Sequence, residues 1–188
     1  PTDPRRINQL WVNDGGGNYA ENALAQGLVL YEQSWTSDFA DYDNDGDIDC
    51  FLVSINRFVP KSFLYQNNGN GIFTKIQSGV ISDSVNNSGG GCAWGDYNND
   101  GFVDLVIAAA KGFQQLNHPN RFFHNNGNGT FTRIDTTIIT DTLNTFTIPS
   151  WYDYDQDGDI DLFIGAGPGG TFLQRDFLYR NMLNETNT

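Results

Sequence analysis

The chain has 188 residues, 38% of them hydrophobic and 14% aromatic, with a formal net charge of −13. That apolar content is enough to build a core, which excludes a disordered chain, and the acidity excludes binding to a nucleic-acid backbone. No apolar run approaches the length of about 18 residues that a membrane-spanning helix needs, so no membrane insertion is expected.

In chain order, the first element is a hairpin. Leu10-Trp11-Val12 enters the turn Asn13-Asp14-Gly15-Gly16-Gly17-Asn18 and leaves at Tyr19. Asn and Gly tolerate positive φ, so such a stretch between β-rich runs is a strong hairpin signal. Residues 1–30 read as the end of a preceding unit. The next unit, 31–85, holds the acidic loop Asp41-Tyr42-Asp43-Asn44-Asp45-Gly46-Asp47-Ile48-Asp49, the apolar run Cys50–Val53, and a hairpin block from Phe63 to Thr74 around Asn67-Asn68-Gly69-Asn70-Gly71. The same order recurs over 86–142, with a loop from Asp96 to Asp104, the run Leu105–Ala108, and the block Arg121–Thr132 around Asn125-Asn126-Gly127-Asn128-Gly129. The expected strands of this unit are 90–94, 104–110, 121–125 and 130–135. The last unit, 143–188, carries a third loop, Asp153 to Asp161, the run Leu162–Ile164, and half a hairpin block, Phe177–Asn181.

The three loops start 55 and 57 residues apart, and an aromatic residue (Phe39, Trp94, Trp151) sits two positions before each. Four antiparallel strands recurring at this period describe the blade of a β-propeller. The fold class expected is therefore all-β: one repeat domain over 1–188, with about three and a half blades. Isolated four-stranded sheets would leave both faces wet, so neighbouring blades must stack. The expected partners are other blades, in a longer chain or in neighbouring protomers. Pro1 in place of Met is taken as a sign of a processed chain or a segment of a longer one.

Thirteen of the 23 acidic residues fall inside the three nine-residue loops. Packing carboxylates this densely is repulsive unless a cation neutralises them. Calcium takes six to eight oxygens, and alternate side chains of a tight loop can supply them. The ligands expected are Asp41, Asp43, Asp45, Asp47 (by its carbonyl) and Asp49. In the second loop they are Asp96, Asn98, Asp100, Phe102 (by its carbonyl) and Asp104. In the third they are Asp153, Asp155, Asp157, Asp159 (by its carbonyl) and Asp161. The Gly at position six permits the sharp turn. Position twelve is Leu52, Ile107 or Ile164, inside an apolar strand, so these are not the helix-flanked loops of an EF-hand. Three Ca²⁺ ions are expected, the second loop binding most weakly because it has fewer charges and Asn98 at position three.

The order Trp/Phe-x-Asp-Tyr-[Asp/Asn]-x-Asp-Gly-x-x-Asp followed by the Asn-Asn-Gly-Asn-Gly block resembles the FG-GAP/VCBS repeat, closest in flavour to the cartilage acidic protein family and its bacterial relatives. Ala25-Gln26-Gly27-Leu28 also fits that pattern. The resemblance implies a calcium-stabilised propeller outside the cytoplasm, with a structural, adhesive or surface-assembly role and no catalytic residue. A carbohydrate-binding (lectin-like) propeller is the alternative, with glycans or surface proteins as partners, and a polysaccharide-active enzyme ranks below it.

Cys50 and Cys92 stand on strands of adjacent units, and an inter-blade disulfide and buried free thiols are both compatible with that placement. His118 and His124 make a poor zinc pair, and His124 aligns with Gln66 and Arg180 in what reads as a solvent-facing slot. Trp35, Trp94 and Trp151 are expected between blades, and Trp11 in a core. Asn86, Asn128 and Asn184 stand in glycosylation sequons, Asn128 at a hairpin tip.

Overall fold

The computed structural model describes residues 7–31, 34–54, 62–81, 89–109, 119–140, 147–166 and 175–184. Thirteen strands and no helix occur among them. β1 (Trp11–Asn13) and β2 (Tyr19–Glu21) form a two-stranded hairpin. β3 (Ser34–Ala40), β4 (Asp49–Ser54), β5 (Ser62–Asn67) and β6 (Phe73–Lys75) form a four-stranded antiparallel meander. β7 (Gly89–Gly95), β8 (Asp104–Ala109), β9 (Arg121–Asn125) and β10 (Phe131–Ile134) form a second. β11 (Thr147–Tyr152), β12 (Asp161–Ala166) and β13 (Phe177–Tyr179) form a three-stranded third. The expected all-β blades are present, and the strands expected in the middle unit agree with the observed ones to within a residue or so.

The second strand of each sheet explains the stacking. Successive side chains of a strand point to opposite faces, yet every residue of β4 is buried. Cys50 and Leu52 pack with Phe63 and Tyr65 against Leu28 and Leu30 of the N-terminal segment. Phe51 and Val53, on the other face, join Leu64 in a cluster with Leu105, Ile107 and Phe123 of the next sheet. That sheet repeats the arrangement, since Val106, Ala108 and Phe122 turn to Leu162 and Ile164 of the third. A strand covered on both faces needs an unbroken apolar run, which is what Cys50–Val53 and Leu105–Ala108 supply. β7 lies against both β3 and β11, so the first strands of consecutive blades converge.

Aromatic residues fill the seams. The Trp94 ring contacts Tyr42, Phe51 and Phe131, and Trp151 contacts Phe122. Trp35 and Trp11 depart from expectation, being 47% and 55% exposed. Both belong to the N-terminal part of the array, where no described sheet stacks on the face they present. Cys50 and Cys92 are free, buried thiols, and burial pushes both up to about 12.

Phe51 is fully buried at the first seam. Phe51→Ala is expected to cost about 3–5 kcal/mol, read from the midpoint of denaturant unfolding. Phe163→Ala, at the equivalent position on the exposed face of the third sheet, is expected to cost well under half of that.

Candidate metal centres

Each acidic loop joins the first strand of a blade to the second and folds around its own carboxylates. Asp41 accepts the amides of Asp45 and Gly46 at 3.1 and 2.9 Å. Asp96 accepts those of Asp100 and Gly101 at 3.1 and 2.8 Å. Asp153 accepts those of Asp157 and Gly158 at 3.1 and 3.2 Å. The fifth position then accepts the amide of the seventh in every loop: Asp45 from Asp47, Asp100 from Phe102, and Asp157 from Asp159. The turn requires positive φ at position four (Asn44, Asn99, Gln156) and again at position six, where Gly46, Gly101 and Gly158 have φ of 94°, 90° and 92°. Glycine adopts that backbone without the Cβ penalty.

The ninth position is buried. Asp49 accepts the amide of Tyr42 on one oxygen and that of Asn67 on the other. Asp104 does the same with Tyr97 and Asn125, and Asp161 with Tyr154 and Asn181. Burial is the main reason that the Asp49 and Asp104 carboxyls are pushed up to about 6, against these amide bonds, which hold them down.

Carboxylate oxygens of Asp41, Asp43 and Asp49 lie within 4.8 Å of one another, as do those of Asp153, Asp155 and Asp161. Asp43 Oδ1, Asp155 Oδ1 and Asp157 Oδ2 are buried without a hydrogen-bond partner. Buried orphaned carboxylate oxygens are costly, and an all-oxygen set of this kind suits a hard divalent cation. In the second loop, the Asn98 amide donates to Asp100 Oδ2 at 2.9 Å, so that side chain is engaged within the loop. The side chains at position seven turn towards the segment that follows the third strand of their own blade. A Cβ on Gly69 would meet Asp47 Oδ2 at 2.6 Å, a Cβ on Gly127 would meet the Phe102 ring at 2.7 Å, and Asp159 Oδ2 accepts the amide of Asn184. This leaves the carbonyl as the ligand group expected from Asp47, Phe102 and Asp159.

The hairpin asparagines have a role that their turn-forming character hid. Asn67, Asn125 and Asn181 each donate their side-chain amide to the carbonyl at loop position eight: Ile48, Val103 and Ile160. Asn125 and Asn181 also donate to the preceding blade, to the Tyr42 and Tyr97 carbonyls at 2.7 and 2.6 Å. Asn44 reaches forward to the Gly101 carbonyl at 2.9 Å, and Asn99 to that of Gly158 at 3.3 Å. The loops are thus bonded to one another along the array. In the slot expected to face solvent, Arg180 is exposed and Gln66 and His124 are half-buried, and each side chain reaches back to the acidic loop of its own blade. Gln66 Nε2 donates to Asp43 Oδ2 at 2.6 Å, His124 Nδ1 lies 3.0 Å from Asp104 Oδ1, and Arg180 Nε donates to Asp155 Oδ2 at 2.7 Å. Asn128 is exposed at its hairpin tip and Asn184 is exposed, while Asn86 and His118 lie outside the described residues.

Stacked antiparallel sheets of three or four strands, each with an acidic loop between its first two strands, define a blade-repeat protein. A family model described as FG-GAP-like repeat matches residues 41–107 and again 96–164, which together exceed half of the chain. The chain belongs to the FG-GAP-like repeat family. Cartilage acidic protein 1 of Xenopus tropicalis is 33% identical over 111 residues, which is 54% of this chain and 15% of that protein.

Asn125 is 1% exposed. Asn125→Ala leaves the buried Tyr42 carbonyl and the part-buried Val103 carbonyl without their donor and is expected to cost about 2–4 kcal/mol, whereas Asn128→Ala at the exposed tip is expected to stay within about 0.5 kcal/mol. Chemical denaturation of the two variants checks the contrast. The raised carboxyls set a pH dependence. A group whose folded pKa exceeds its unfolded value binds protons preferentially in the folded state. In chelator, the melting temperature is therefore expected to rise as pH falls from 7 to about 5, through the folded value of about 6 for Asp49 and Asp104.

Proposed function

We propose that this chain is a calcium-stabilised propeller segment that acts outside the cytoplasm in adhesion or surface assembly. The observation that carries the reading is the pair of five-Asp loops. Each gathers three carboxylates within 4.8 Å and leaves at least one buried carboxylate oxygen with no hydrogen-bond donor. When bound, calcium supplies the positive charge that lets these carboxylates sit together. The chain's own groups supply the cage: side-chain oxygens from positions one, three, five and nine, and a carbonyl from position seven. The role of calcium is structural, because it stabilises whichever state holds the loop and the hairpin together. The second loop, with Asn98 engaged on Asp100, binds it most weakly.

The partner this reading assigns is another blade of the same kind, in a longer chain or a neighbouring copy. Phe163, Leu178 and Tyr154 are 40%, 53% and 50% exposed, whereas Phe51, Leu64 and Tyr42, which occupy the same positions in the first blade, are 0%, 2% and 4% exposed under the second. The extracellular placement and the adhesive role rest on the family and on the cartilage protein it resembles.

Calorimetric titration with calcium is expected to show at least two sites. Saturating calcium at about 100 times Kd adds about 2.7 kcal/mol per site, so a chelator should lower the melting temperature markedly. No heat of binding and an unchanged melting temperature would overturn the reading.

A further inference from the structure

We infer that the residue at the end of the third strand of each blade, in the slot occupied by Gln66, His124 and Arg180, orients the acidic loop and sets its affinity for the cation. The inference rests on the calcium reading above and adds an order to it: the third loop binds more weakly than the first. The two loops form an internal control. Asp41–Asp49 and Asp153–Asp161 are identical except at position four, where Asn44 corresponds to Gln156. Both gather the equivalent triad of carboxylates. In both, the slot side chain donates to Oδ2 of the position-three aspartate, at 2.6 Å from Gln66 and 2.7 Å from Arg180. In both, Oδ1 of that aspartate remains buried without a partner.

The geometry is shared, but the charge is not. Gln66 fixes Asp43 with a neutral amide, whereas Arg180 fixes Asp155 with a guanidinium and brings Nη2 to 3.8 Å from Asp157 Oδ2. A tethered positive charge beside two of the carboxylates repels an incoming cation. It also neutralises part of the acidic cluster when no ion is bound, so the third loop stays assembled at lower calcium than the first loop needs. The second blade places His124 in the slot. Its position three is Asn98, which is engaged on Asp100, and His124 lies against Asp104 instead. The slot thus follows the loop it serves: it holds position three where that residue is an aspartate and position nine where it is not.

The amides of Gly46, Gly101 and Gly158 each donate to the first aspartate of their own loop, so each reports one site in a ¹H–¹⁵N spectrum. Titrated with calcium, the unmodified chain is expected to show a higher midpoint at Gly158 than at Gly46. Arg180→Gln is expected to lower the Gly158 midpoint by about two- to tenfold, and the shift should shrink in 1 M salt, where screening shortens to about 3 Å. Gln66→Arg is expected to raise the Gly46 midpoint. A Gly158 midpoint at or below that of Gly46 in the unmodified chain overturns the inference, as does an Arg180→Gln midpoint that is unchanged or raised. In both cases the calcium reading survives. Silence of all three glycines up to about 10 mM calcium, about tenfold above the weakest extracellular sites, overturns the calcium reading itself.

Discussion

The blades depend on one buried carboxylate each. Asp49, Asp104 and Asp161 are 0%, 0% and 1% exposed at the start of the second strand. Each takes one backbone amide from its own acidic loop and one from the end of the third strand. Burying a carboxylate is expensive, and two amide donors offset much of the cost. The bonds tie three pieces of chain that would otherwise diverge: the loop, the second strand and the hairpin. The remaining carboxylates of the loop are then held in a ring whose charge the amides only partly satisfy.

Much of this was legible in the sequence because several signals recur in phase. The nine-residue loops fixed the turn, the apolar runs after them marked strands buried on both faces, and the Asn-Gly blocks marked the hairpins. Burial at the ends of the array was less legible. Alignment of repeats equates Trp11 with Leu64, but a side chain is buried only if a neighbouring sheet covers it, and no described sheet covers Trp11. The loop contacts of Gln66, His124 and Arg180 were not legible, because these residues share neither size nor charge. What they share is a nitrogen that reaches an acidic loop. The hairpin asparagine was read as a turn former, yet a clue lay in the third copy. Asn181 is followed by Met182 and Leu183 and not by a glycine turn, so its presence there answers to something other than the turn.

The loops do not act alone. Asn44 and Asn99 reach forward to the glycine carbonyl of the next loop, and Asn125 and Asn181 reach back to the tyrosine carbonyl of the previous one. Two polar bonds therefore cross each seam at the loop edge, next to the apolar cluster that fills it. The loops of neighbouring blades are joined in this way through side-chain amides of the loop and of residues at or just after the end of the third strand.

This lattice gives the array two unlike rims. On one, loop length is invariant at nine residues, because an insertion would break bonds within the loop, to its hairpin and to both neighbours. The other rim lies where the second strand ends and the third begins, between Ser54 and Ser62, Ala109 and Arg121, and Ala166 and Phe177. These intervals are 7, 11 and 10 residues long. A chain divided in this way varies in length between strands on one side while the nine-residue spacing on the other is held constant.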